Sequence, residues 1–415
     1  MSSVSVLRRV LSLALVLCLL AGCAAGAPAS SVPASPSASS APQTEPLSQG
    51  AAFPDGEYRA MWLSYLEWQS VDFSSEEAFT AEVSTMLDNC VSLGLNVVLA
   101  QVRPFGDALY PSELFPFSHL CTGVQGGDPG FDPLAILVRE AHARGLELEA
   151  WINPYRLRLH ASSPDSDFSA DNLANTHPEW VKAVGEGLYL DPASQDVRDY
   201  ITAGVVELLE RYPLDGVHLD DYFYPTTEAS FDEAEYASSG ASLSLEDWRR
   251  ENVNALVRQL YAAVHEKGVR FGISPQGNND NNYGMQYSDV ALWLSQPGYA
   301  DYIAPQLYWG NFHTLSSGSD RFAFGNVAGE WAALERREDV KLIFGLGAYR
   351  IGEGDGCEAD EAFWQSGNAL AQQALLGREL GADGFGLYRY DFLFKNAAWQ
   401  ELAAAEVQAL AALPE

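Results

Sequence analysis

Short apolar runs and longer helix-forming stretches take turns along this chain, eight times in succession. The pattern predicts strands over 59–64, 95–102, 146–152, 216–220, 269–274, 302–307, 342–347 and 384–388. Helices are expected over 76–93, 133–144, 195–211, 245–267, 287–294, 322–337, 358–380 and 397–413. Strands separated by helices pair in parallel, because each crossover returns the chain to the same end of the sheet. Eight such units point to an α/β fold, a single (β/α)8 TIM barrel. Gly94, Gly145, Gly268 and Gly381 each stand between a predicted helix and the next strand, where a left-handed residue commonly ends a helix. The barrel is expected over 57–415, with no second domain. Its longer βα connections, 103–132, 153–194 and 221–244, would lie on the C-terminal face, where barrels carry their sites.

The residues before the barrel have another character. Arg8 and Arg9 precede an apolar run from Val10 to Leu20, which is too short for a comfortable membrane span. Ala21-Gly22-Cys23 follows, and the whole resembles a bacterial lipobox. The expectation is a lipoprotein signal peptide over 1–22, cleavage before Cys23 and acylation of its thiol. That would anchor the protein by lipid on the extracytoplasmic face of a bacterial membrane. Residues 23–56 are rich in Ala, Ser and Pro and nearly free of charge, as in a disordered tether.

Composition removes several function classes. The net charge is -32, so there is no basic stripe to displace counterions from nucleic acid. Apart from Cys18 and Cys23, the cysteines are Cys90, Cys121 and Cys357, widely spaced and without a CxxC pair. Neither a disulfide framework nor a zinc site is expected. The histidines form no HxH or HExxH pattern, which disfavours a metal-dependent deacetylase. P-loop, GxSxG and GxGxxG signatures are missing as well, and no cofactor or metal is expected.

The chemistry concentrates in Asp215–Pro225, DGVHLDDYFYP. This strand ends in two adjacent carboxylates, Asp220 and Asp221, and then in the rings Tyr222, Phe223 and Tyr224. Acids can act on a glycosidic bond, and rings can stack on pyranose faces. Alternation along each strand says which side chains point inward. Val217 and Leu219 face the helices, so His218 and Asp220 face the barrel interior. By the same parity Gln101 and Arg103, Glu149, Trp151 and Asn153, Gln276, Gln306 and Tyr308, Tyr349 and Tyr388 face inward. His218 lies deeper and reads as a core histidine. Asp215, Asp301 and Asp383 begin strands on the opposite rim and read as turn residues. Asp221 can join the site only if the strand has already ended there. Glu67, after the first strand, is another candidate partner for Asp220.

Several segments resemble the glycosyl-hydrolase-like 10 family of bacterial proteins. They are Tyr58–Trp68, Gly94–Ser112, Gly130–Leu134, Ala150–Arg156, Asp215–Pro225, Phe271–Gly277, Asp301–Trp309 and Gly345–Gly352. The resemblance implies a (β/α)8 hydrolase of glycans, with lipoprotein members acting on peptidoglycan glycan strands. It also implies a site containing Arg103, Asn153, Arg156, Asp220, Asp221, Tyr222, Gln306 and Tyr308. His218 and Glu149 depart from the family's pattern.

The expected function is therefore a lipid-anchored glycosidase cutting a cell-wall glycan, most of all peptidoglycan. The expected catalytic residues are Asp220, Asp221 and Glu67. The expected sugar contacts are Arg103, Asn153, Arg156, Tyr222, Tyr224, Gln276, Gln306, Tyr308, Trp309, Tyr349 and Tyr388. The rival is a surface-anchored barrel that binds glycan without turnover.

Overall fold

The long helices start where side chains can satisfy their free N–H groups. Ser75, Asp132, Ser194 and Ser244 accept from the N–H of Ala78, Ala135, Val197 and Asp247. These caps open helices Glu76–Ser92, Pro133–His142, Gln195–Arg211 and Leu245–Glu266. The computed structural model describes residues 52–160 and 168–414. The expected signal peptide, Cys23 and the expected tether up to residue 51 lie outside the described residues. All described residues fall within one compact unit, Pro46–Glu415. Among them no helix is long and apolar enough to cross a membrane.

Eight parallel strands close the barrel. In order they are Tyr58–Leu63, Val97–Arg103, Glu147–Ile152, Gly216–Leu219, Arg270–Ile273, a split sixth strand (Tyr302–Ile303 and Gln306–Leu307), Lys341–Gly347 and Gly384–Tyr388. Each pairs with the next, and strand eight pairs with strand one, Gly384 opposite Tyr58. The sixth strand is interrupted at Pro305, which has no N–H to give. The helix predicted over 358–380 is broken into Glu361–Trp364 and Ala369–Glu379. Gly367 between them has φ +74°, a conformation that ends a helix. The long connection after strand three folds into an antiparallel sheet of Arg156–Arg158, Val181–Val184 and Gly187–Leu190.

Two apolar populations follow from strand alternation. One fills the gap between strands and helices, and includes Val98, Ala100, Leu148, Ala150, Val217 and Leu219. The other fills the barrel itself, with Trp62, Leu99, Trp151, Tyr302 and Ile343. These large interior side chains need small neighbours. A Cβ on Gly272 would sit 1.9 Å from the Tyr302 ring, and one on Gly386 2.3 Å from Trp62.

Polar groups share the interior in a connected network. Tyr58 and Tyr302 donate to the two oxygens of Glu149 at 2.8 and 2.6 Å, and Arg270 Nε donates to it at 2.5 Å. Trp62 donates to His218 Nε2 at 3.2 Å, so Nδ1 carries the proton and donates to the Tyr302 hydroxyl at 2.8 Å. Burial pushes His218 down to about 3. His218 and Glu149 are therefore structural. Phe53 packs edge-on against Tyr58 and Tyr302, and Arg270 donates to the Ala52 carbonyl. Ala52 and Phe53, assigned to the tether from composition, thus help close the barrel floor.

The rim below the site carries a repeated clamp. Asn96, Asp215, Asp301 and Asp383 precede strands two, four, six and eight. Their side chains accept from the N–H of Arg59, Leu148, Phe271 and Leu342 at 2.9, 2.7, 2.7 and 3.0 Å. Each backbone N–H donates back to the carbonyl of that same residue at 2.8–3.0 Å. Every second strand is thus stapled to its predecessor. Removing one clamp strands a buried N–H, so Asp301→Ala should cost about 1–3 kcal/mol of stability. Urea unfolding measures that cost. Turnover per folded molecule should not change, because Asp301 lies on the rim away from the carboxylates.

Candidate active site

Strand four stops at Leu219, one residue earlier than its sequence pattern extends. Asp220 then accepts the Tyr222 N–H on Oδ1 at 3.1 Å, a local turn that bends the chain. This early stop frees Asp221 from strand alternation. Both carboxylates face the same cup, and both act electrostatically on the Tyr308 phenol across it.

Asp220 is held from behind by a directed relay. Asn153 Nδ2 donates to its Oδ2 at 2.5 Å. The Asn153 amide cannot turn over, because its Oδ1 accepts from Arg156 at 3.0 Å and also from Gln101 Nε2. Gln101 is itself oriented by the Tyr65 N–H, which donates to Oε1 at 2.8 Å. Arg156 donates to the Pro104 carbonyl at 3.0 Å. Its guanidinium lies 4.7, 5.0 and 5.7 Å from the ring centres of Phe105, Tyr222 and Tyr65.

Asp221 is nearer the opening and only partly buried. Gln306 Nε2 donates to its Oδ1 at 2.9 Å and to the Ser274 carbonyl at 2.8 Å. Gln276 also hydrogen-bonds it. Burial, and then the neighbouring Asp221 charge, push Asp220 up to about 6; Arg156 opposes this. Burial raises Asp221 as well. The two titrate as a pair that holds one proton into mildly acidic solution.

Across the cup the wall is phenolic. Tyr308 stacks on Tyr388 at 5.5 Å and meets Tyr349 edge-on at 5.4 Å. Tyr349 and Tyr388 also meet edge-on, at 6.1 Å. Tyr222 stands at the mouth with 48% of its surface exposed. The cup therefore offers one acid pair, oriented amides and flat rings.

Four expected site residues are placed elsewhere. Arg103 was expected to face inward with Gln101. A bulge between these two residues shifts the register, so Arg103 aligns with outward-facing Ile152. Its guanidinium packs on Phe115 and against Gly204 of helix Gln195–Arg211. Tyr224 is 2% exposed and packs against Tyr287, Phe231 and Arg249, because the chain folds back down after Tyr222. Trp309 follows inward-facing Tyr308 and stacks on Phe322 at 4.7 Å. Glu67 is fully buried and committed. Its Oε2 accepts from the Ser64 N–H and hydroxyl at 2.8 and 2.7 Å, and its Oε1 pairs with Arg389. It cannot serve as partner to Asp220 without breaking that capping box and ion pair.

Asn153, Arg156, Tyr222, Gln276, Gln306, Tyr308, Tyr349 and Tyr388 do gather around Asp220 and Asp221, or around the groups that hold them. Gln101 is the member absent from the expected site. Strand parity had it facing inward, so the signal was present.

The sequence matches the family described as Glycosyl hydrolase-like 10 over residues 57–365. The chain belongs to this family. It is 36% identical to glycosyl hydrolase YngK of Bacillus subtilis over 351 residues, 79% of this chain and 66% of that protein. It is 33% identical to glycosyl hydrolase DigH of Escherichia coli over 384 residues, 83% of this chain and 85% of that protein. Among solved structures, the PgaB (BpsB) glycoside hydrolase domain from Bordetella bronchiseptica superposes with a TM-score of 0.55 at 15% identity, covering 85% of this chain and 99% of that one. A β-galactosidase from Marinomonas ef1 gives 0.52 at 12% identity, covering 85% and 59%. At such identity these two speak for the fold. By family and fold the protein is classed with glycoside hydrolases.

The pairing of the carboxylates has a measurable consequence. Asp221→Asn removes a like charge that raises Asp220. Asp220 should then titrate below its present value of about 6, yet above the ordinary carboxylate range, since burial is the larger cause. Carboxyl-carbon NMR of aspartate-labelled protein across pH reads this directly. An unmoved Asp220 titration would show that the two charges do not communicate.

Proposed function

We propose that the protein is a lipid-anchored glycoside hydrolase that cuts the glycan strands of peptidoglycan, with Asp220 and Asp221 carrying the acid–base work. One observation bears most of the weight: two adjacent carboxylates, both raised, stand together in a cup of amides and rings. A carboxyl group that keeps its proton toward neutral pH can protonate a departing glycosidic oxygen. Neutral amides and phenols complement sugar hydroxyls and ring faces. The family and the printed names of the relatives support the general class. The lipobox pattern ending in Cys23 supports a location beside the cell wall.

The activity test uses full-length, detergent-solubilised protein. Incubated with purified glycan strands, with and without stem peptides, it should release saccharides detectable by mass spectrometry. Asp220→Asn should bind the strands but lower the release by about 10²-fold or more, the usual contribution of a positioned acid or base. Binding by both proteins with no release from any strand would favour a glycan-binding barrel instead.

The anchor is tested separately. Cys23→Ala should move the protein from the membrane fraction to the soluble extracytoplasmic fraction, and the mature wild type should carry acyl mass on its first residue. A Cys23→Ala protein that stays with the membrane would remove the anchor from this reading.

A further inference from the structure

The two acids present a geometric difficulty for the common routes of glycoside hydrolysis. Both a covalent route and a direct water route need carboxyl groups on opposite faces of the anomeric carbon. Asp220 and Asp221 are consecutive residues at the end of one strand, so they come from the same wall. The other acids bordering the cup are engaged, among the described residues. Glu67 is held by Ser64 and Arg389, Asp391 pairs with Arg389, and Glu149 lies below with Arg270. The facing wall is Tyr308, Tyr349 and Tyr388. Burial raises these phenols, and the charges of Asp220 and Asp221 add to the rise at Tyr308. None is a ready phenolate nucleophile.

A nucleophile must then come with the substrate. We propose that the sugar at the cleavage site is a 2-acetamido sugar whose own carbonyl oxygen attacks C1, with Asp220 and Asp221 serving it from one side. This inference rests on the hydrolase reading above and names its mechanism. Depth assigns the roles. Asp220, 4% exposed and fixed by Asn153, accepts the acetamido N–H and steadies the charge that develops there. Asp221, nearer the opening, carries the proton the pair shares once the acetamido N–H is seated on Asp220, and gives it to the departing oxygen. The carbonyl O–C1 bond forms as the C1–O glycosidic bond breaks, which leaves a cyclic oxazolinium ion. Water then attacks C1 from the vacated face and Asp221 takes back a proton. The ring opens, the acetamido group is restored, and the product keeps its anomeric configuration. The relay through Gln101, Asn153 and Arg156 has a purpose in this scheme. It holds Asp220 as an oriented acceptor rather than as a free base.

The test is made on full-length wild type with denuded glycan strands and with dinitrophenyl 2-acetamido glycosides. Product NMR at early times should show retention. Replacing the acetamido group of the aryl glycoside by trifluoroacetamido weakens the carbonyl nucleophile and should slow turnover by about 10²-fold or more, the scale of one lost catalytic contact. A thiazoline analogue of the cyclic intermediate should compete with substrate. Asp221→Asn should lose far more activity on strands than on the dinitrophenyl glycoside, whose leaving group needs no proton. Asp220→Asn should lose on both. Hydrolysis with inversion, indifference to trifluoroacetamido, or a glycosyl adduct on a protein carboxylate would each overturn the inference and leave the hydrolase reading intact. An adduct on Asp165 or Asp167, which lie outside the described residues, would count in the same way. Absence of cleavage on every strand and glycoside would overturn the hydrolase reading itself.

Discussion

Two like charges held side by side in a buried cup are the constraint around which this site is built. Burying a carboxylate is costly, and burying a second beside it costs more. The surroundings answer that cost in two ways. One cation, Arg156, sits close enough to lower both acids but spends its hydrogen bonds on Asn153 and Pro104. Oriented amides do the rest: Asn153 for Asp220, Gln306 and Gln276 for Asp221. A direct Arg–Asp ion pair would stabilise the acids further and fix them as ions. Working through an amide leaves the pair able to hold a proton. The rings around Arg156 also limit how far water can screen its charge.

The same reasoning separates the functional layer from the floor beneath it. Below the cup, Glu149 is also a buried acid, but it accepts from two tyrosines and is paired directly with Arg270. His218 sits between the layers, neutral and bonded on both ring nitrogens. Charges in the floor are thus closed off, and charges in the cup are left open on one side. Burial alone does not mark the site, since Glu149 is more buried than Asp221. The distinction lies in whether a full ion pair completes the acid.

Much of this was legible in the sequence, and the failures have identifiable physical causes. The eight strands and their inward faces follow from alternation, which is why Trp151, His218, Asp220, Gln306 and Tyr388 fall where expected. Arg103 does not, because one extra residue at Val102 reverses the faces beyond it, and a bulge is set by pairing with strand three. Tyr224 failed for a related reason, since beyond a strand end alternation no longer says where a side chain goes, whereas Trp309 obeys alternation by following inward-facing Tyr308 and packing on Phe322. Glu67 was different, since its fate was written locally. Ser64-Tyr65-Leu66-Glu67 is the capping-box pattern, and the structure has both of its hydrogen bonds.

The stop of strand four has a consequence for the opposite wall. Had the strand run on through Asp221, alternation would have sent that side chain toward the helices. The barrel would then hold a single acid at this position and would need a second from another strand. Stopping at Leu219 places both acids on one wall and lets the other be neutral. Tyr308, Tyr349 and Tyr388 occupy that wall, with phenols that burial keeps protonated. A flat neutral surface there suits a sugar ring and adds no further negative charge to a cup that already holds two carboxylates. The turn at Asp220 and the aromatic facing wall are thus parts of one solution.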